Sequence, residues 1–211
     1  MKFHFEKSFC VALGTFNIYI IQPSLLLQMH ALDSVIGSFF GDFTQPGWRF
    51  SADGATWVVR PERLAVETTD PKFDCGKRVL SVLKILQWTP IVAVGTNLVF
   101  RADAREESDL PPHFRMPQFD GHELLSRSCE TVVKDGDREF RISLKSDGEN
   151  LKLFLNIHAN FRKTSEEAKV NQIDQNSKAC DACGSFMRDC NIAVERAKSI
   201  LGGEFSWDYQ A

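Results

Sequence analysis

Three cysteines near the C-terminus have the spacing of a chemical motif: Cys180-Asp181-Ala182-Cys183 is a CxxC, and Cys190 lies a further turn or two along a helix. Thiolates so placed can share a zinc ion or cycle through a disulfide. A structural zinc site needs four ligands, however, and neither a second CxxC nor a His pair stands nearby; His158 is the only histidine in the C-terminal third. The βαβ setting of a thioredoxin-like site is missing too. Periodicity gives the thiols another use. Ile173, Asn176, Cys180, Cys183, Met187, Cys190, Val194, Ala197 and Leu201 alternate spacings of three and four, an a/d seam over four heptads that Phe186, Ala193 and Ile200 broaden. Free cysteine packs as a small apolar residue, so the seam assigns these thiols to a core or an interface. Cys183, Met187, Cys190, Val194, Ala197 and Leu201 are the expected interface residues, with no metal and no cofactor.

The second constellation is a row. Phe154, Asn156, His158, Asn160 and Arg162 alternate with Leu153, Leu155, Ile157, Ala159 and Phe161. Side chains on a strand repeat with period two, so the first set shares one face. Amides and imidazole both donate and accept hydrogen bonds, which suits this face to a ligand or a partner; the plain alternative is a solvated sheet surface. No G-x-S-x-G elbow, P-loop, dinucleotide fingerprint or H-E-x-x-H is present. Glu106-Glu107 and Glu166-Glu167 sit in polar runs and read as solvated charge. Asp103, Glu130, His113 and His122 form a site only if the fold gathers them.

Strands and helices must position these groups. Ahead of the row, Phe140, Ile142 and Leu144 alternate with Arg141, Ser143 and Lys145 across a turn at Ser146–Asn150, which predicts a hairpin. A strand over Cys129–Lys134 joins it through Asp135-Gly136. Upstream, residues 10–22 read as a first strand ending at Pro23, and Leu25, Met29, Leu32, Ile36, Phe39 and Phe43 have helical spacing. Asp53-Gly54 predicts a hairpin that buries Trp48, Phe50, Trp57 and Val59, with Leu64–Glu67 continuing it. A helix is expected from Asp70-Pro71 to about Gln87, with Val79, Leu80, Val82, Leu83 and Leu86 inward. Ile91–Arg101 is apolar on both faces around Gly95, which predicts a central strand with a close contact at the glycine.

Between these elements, residues 102–122 are polar and proline-broken, a partner-facing loop or a solvated crossing. Residues 162–178 read as a polar connector or the exposed start of the C-terminal helix, placed at 176–201 and stopped by Gly202-Gly203. Phe205, Trp207 and Tyr209 then form an aromatic tail suited to docking on this body or a neighbour.

Bulk properties set the frame. A chain of 211 residues with 43% hydrophobic and 25% charged residues fits one ordinary domain. A net charge of -3 without a basic stripe ranks nucleic acid last among partners. Cys10, Cys75, Cys129, Cys180, Cys183 and Cys190 are sparse for this length and read as reduced thiols in a cytoplasmic protein. The apolar run Phe16–Leu27 is interrupted by Asn17, Gln22 and Pro23 and is too short to span a bilayer. The expected architecture is therefore a single α+β domain: an antiparallel sheet of about six to eight strands, packed on one face by two or three helices. The expected function is a non-enzymatic interaction or assembly module that meets a protein partner or itself; the alternative is a small enzyme or ligand-binding protein with a pocket around His158.

Overall fold

The computed structural model describes residues 1–41, 46–102, 127–136, 138–146, 151–161 and 172–207. These form an α+β fold in which β1 (Lys2–Gly14) is followed by α1 (Pro23–Gln28), β2 (Gly37–Phe40), β3 (Trp48–Ala52), β4 (Ala55–Arg60) and β5 (Arg63–Thr68). Then come α2 (Cys75–Ile85), β6 (Ile91–Ala102), β7 (Arg127–Asp135), β8 (Arg138–Ser146), β9 (Leu151–Asn160), α3 (Gln172–Gly184), α4 (Phe186–Leu201) and β10 (Glu204–Ser206). The strands make one open sheet in the order β2-β3-β4-β5-β1-β6-β9-β8-β7, antiparallel throughout, with β10 added in parallel to the start of β1.

Local chemistry explains several of these elements. Asp53 and Gly54 both take positive φ, +53° and +80°, the backbone twist that a two-residue hairpin between β3 and β4 requires. Phe50, Trp57 and Val59 of that hairpin are buried as their alternation predicts, and Trp48 is half-buried. Asp74 caps α2, its carboxylate accepting a 2.9 Å hydrogen bond from the Lys77 N–H. Leu151, Leu153, Leu155 and Ile157 of β9 face Phe140, Ile142 and Leu144 of β8 inside the core, where α4 packs on β9 while α3 covers β6 and α2 covers β1 and β5. Each such aliphatic side chain contributes about 1.5–3 kcal/mol by leaving water.

The structure departs from the sequence pattern in five places. The first strand lies at Lys2–Gly14, not at 10–22. A register shift between Phe5 and Lys7 moves the buried set from Phe3 and Phe5 to Ser8, Cys10 and Ala12, which hides the period of two. Residues after Gly14 bury Phe16, Ile18 and Ile21 without pairing, and the Trp48 indole donates to the Ile18 carbonyl at 2.9 Å. The expected helix from Ser24 to Phe43 is only one turn and a half, α1. Beyond it the Asp53 carboxylate accepts from the Asp33 and Ser34 N–H groups, drawing the chain away, and Gly37–Phe40 pairs with β3 instead.

The helix expected from Asp70 starts at Cys75, because Asp70 closes a local turn onto the Lys72 N–H and leaves the cap to Asp74. The long C-terminal helix is two helices, α3 and α4, interrupted at Ser185. There Ser185 Oγ donates back to the Ala182 carbonyl and also bonds Asp189. Gly76 of α2 presses against this interruption so closely that a Cβ would collide with the Cys183 carbonyl and Phe186. Finally, the described residues hold ten strands rather than six to eight: β2 was hidden in a helical spacing and β10 is three residues long.

The aromatic tail docks on its own body. Phe205 stacks on Phe3 at 4.7 Å, and Trp207 meets Phe5 and Phe100 at 5.6 and 5.7 Å. Tyr209, the 103–122 stretch with Asp103, His113 and His122, and residues 162–171 of the connector lie outside the described residues. No helix among the described residues is long and apolar enough to cross a membrane.

Candidate binding face

Register decides what surrounds His158. On β9 it stands opposite Gly95 of β6 on one side and Glu139 of β8 on the other. A Cβ at Gly95 would lie 3.3 Å from both Cε1 and Nδ1 of the imidazole, so the absent side chain is what lets the ring lie across β6. One step along, Asn156 pairs with Asn97 and with Arg141. The buried Asn97 amide donates to the Phe9 and Gly95 carbonyls at 3.3 and 3.1 Å, which fixes this part of the floor.

Arg141 ties the outer strands together. It bonds Glu139 at 2.7 Å and Glu130 of β7 at 3.1 Å, both on the face opposite the helices. Those bonds pull the Glu139 carboxyl below the ordinary carboxylate range and raise Arg141. Burial lowers the His158 pKa; the Arg141 charge pushes the same way, and Glu139 opposes it. The imidazole is therefore neutral at pH 7, with one nitrogen free to donate and the other to accept.

Around this group the face dips into an open cleft of about 660 Å³, lined by Leu13, Ala93, Lys134, Arg141, His158 and Asn160 among others. Arg138, in phase with Phe140 on the helix side of β8, also lines the end of the cleft, and there it bonds the buried Asp189 carboxylate and lies 3.4 Å from Ser185 Oγ. The rim of the cleft is thus tied to the break between α3 and α4. What this arrangement can do is bind: it offers paired cations, carboxylates, amides and a neutral imidazole on a firm strand floor. A nucleophile beside a base is not among its described members.

Of the sequence-derived row, Phe154, Asn156 and His158 are half-buried and Asn160 is exposed on the same face; Phe154 packs under the Lys145 ammonium at 5.2 Å. Arg162 lies outside the described residues. Glu139, Arg141, Lys134 and Leu13 were missed. A turn closing at Ser146 and Leu151 places Glu139 beside His158 and Arg141 beside Asn156, so the hairpin carried a readable signal for those two. Lys134 follows one strand further out, through the Asp135-Gly136 turn that sets it opposite Glu139, whereas Leu13 comes from a strand that no local pattern connects to β9.

The seam of the expected interface helix faces inward. Cys183, Cys190, Val194, Ala197 and Leu201 are turned into this chain's own core and Met187 is half-buried against it, since the seam has the sheet and α2 to pack on. The cysteines share that interior. The neighbouring Cys183 thiol, together with burial, holds Cys10 well above its ordinary pKa. Cys75 donates to the Ser8 carbonyl, and burial pushes it up to about 12; burial also raises Cys190 and, less buried, Cys180. All six are free thiols, and among the described residues no group of three or more His, Cys, Asp or Glu is placed to hold a metal ion. Compared with known proteins, the chain matches no family model and no curated sequence.

Proposed function

We propose that this chain is a non-enzymatic binding or assembly module, whose partner-facing surface is the sheet face opposite the helices, centred on Asn156, His158 and Arg141. The observation that carries this reading is the contrast in how the two constellations are used. The cysteine seam is consumed by internal packing, whereas the row on β9 remains accessible, beside an ordered Glu130–Arg141–Glu139 chain. Ion pairs held on a strand floor give orientation and partner choice at a wet interface more than raw affinity.

Light scattering at micromolar concentration, combined with capture from extract by wild-type and by an Arg141→Ala/His158→Ala double variant, tests it. A stoichiometric complex lost in the double variant, with unchanged circular dichroism, is expected. A monomer that captures nothing, or a complex indifferent to both substitutions, overturns it. A second reading, a small polar ligand in the cleft, is favoured by the concavity around His158 and Asn160. In that case His158→Ala abolishes a ligand-induced thermal shift and leaves the fold intact.

A further inference from the structure

The sheet ends in two unlike edges. β2 offers four residues that include Gly37, whereas β7 offers nine, Arg127–Asp135, without proline, glycine or bulge, in unbroken register with β8. Among the described residues no strand pairs with the outer side of β7. Such an edge presents a row of backbone donors and acceptors, and proteins usually blunt it by bulges, prolines or inward charges. Instead β7 exposes two β-branched side chains, Val132 at 47% and Val133 at 42%. β-branched residues are what a cross-strand neighbour packs against.

We propose that β7 pairs antiparallel with β7 of a second copy of this chain, about a two-fold axis through Val132. This deepens the reading of the chain as an assembly module and rests on it. In an antiparallel pair, directly opposed residues share a face, so a two-fold perpendicular to the sheet can pass only through a residue position. Centred on Val132, the strand sets Val132 against Val132, Thr131 against Val133, and Glu130 against Lys134 on each side of the axis. Centred on Thr131, it opposes Glu130 to Val132 and Lys134 to Ser128. Centred on Val133, it opposes Lys134 to Val132 and Glu130 to Gly136. Only the Val132 register converts both charges into ion pairs while matching both valines with β-branched partners.

Geometry on the open face supports that register. Val132 stands opposite Arg141, and Lys134 opposite Glu139, so Glu130, Val132 and Lys134 all point to the face away from the helices. Glu130 already bonds Arg141 at 3.1 Å. The partner's Lys134 would extend that chain across the axis to the existing Arg141 and Glu139, alternating in sign. The result is one continuous sheet with both helix layers on the same side and both open faces joined, which doubles the proposed binding surface.

Sedimentation equilibrium of the full chain tests this, with Val132→Lys, Glu130→Lys, Lys134→Glu and the double swap Glu130→Lys/Lys134→Glu as variants. Expected is a species of twice the 23.9 kDa chain mass for wild-type. Val132→Lys puts two ammonium groups on the axis and weakens association at least tenfold; each single charge reversal weakens it, and the double swap restores it. Val132→Cys, mildly oxidised, gives an interchain disulfide, and Thr131→Cys, offset from its own copy, does not. A wild-type monomer at about 100 micromolar protein, a concentration far above a dissociation constant of about 1 micromolar, overturns the pairing, as does a dimer unmoved by Val132→Lys and the charge reversals. Those results would leave the Arg141/His158 capture experiment standing as the separate test of the open face.

Discussion

Alternate residues of the same strands build both faces of this sheet, and on β9 they do opposite work. Leu151, Leu153 and Leu155 are buried on the face that α4 covers, whereas Phe154, Asn156 and His158, one residue out of phase, are half-buried on a face that carries ion pairs and a cleft. The covered face obtains its order from close packing, in which losing a methylene is felt. The open face obtains its order from a rigid floor and from hydrogen bonds, so its side chains can change without unfolding the chain. Under the proposed function, the strand pleat rather than a domain boundary divides stability from recognition.

The sharpest way to break that division is from the covered side. Leu155→Ala is expected to cost about 2–5 kcal/mol by emptying a fully buried site, read as a lower urea midpoint at unchanged slope, while Asn156→Ala beside it costs less than about 0.5 kcal/mol. Equal losses would contradict the division. Next in size is Arg138→Met, which strands the Asp189 carboxylate, 3% exposed, without its guanidinium. Because Arg138 itself is partly exposed, the expected loss is about 1–3 kcal/mol, and it is accompanied by faster amide exchange at the junction of α3 and α4.

A substitution between the faces sharpens the picture. Gly95→Ala puts a methyl 3.3 Å from the imidazole and is expected to cost about 1 kcal/mol or less, yet to shift the His158 ring resonances clearly. Smallest is the pH effect. His158 is held below its ordinary pKa of about 6.5, so the unfolded chain binds the proton more readily than the folded one. Stability is therefore full above that ordinary value and falls as pH drops through the lowered folded value. Imidazole NMR titration is expected to give a folded pKa below 6.5, and His158→Gln flattens this part of the profile; a raised value would contradict the burial argument.

Much of the fold was legible where a short-range pattern meets a strong turn. The β8–β9 hairpin, the Asp53-Gly54 hairpin and the central β6 follow from alternation and glycine placement alone. The start of the chain was not, because the shift between Phe5 and Lys7 breaks the period of two, and Ile36 and Phe39 continue a helical spacing while lying on an exposed edge. The break at Ser185 depends on Gly76, Arg138 and Asp189, three positions far apart in sequence, and a continuous heptad seam masks it. For the site, the row on β9 and the contact at Gly95 were readable. Burial of the cysteine seam on this chain's own sheet was left open by its periodicity, since a core and an interface demand the same residues.

Photocrosslinking from the two layers tests which face of the sheet meets a partner. A photoreactive phenylalanine analogue replaces Asn156 on the open face in one sample and Arg188, exposed on the outer side of α4, in another. A discrete protein adduct is expected from position 156, to a partner or a second copy, and none from position 188. An adduct from 188 with none from 156 would place the working surface on the helices and contradict the proposed function.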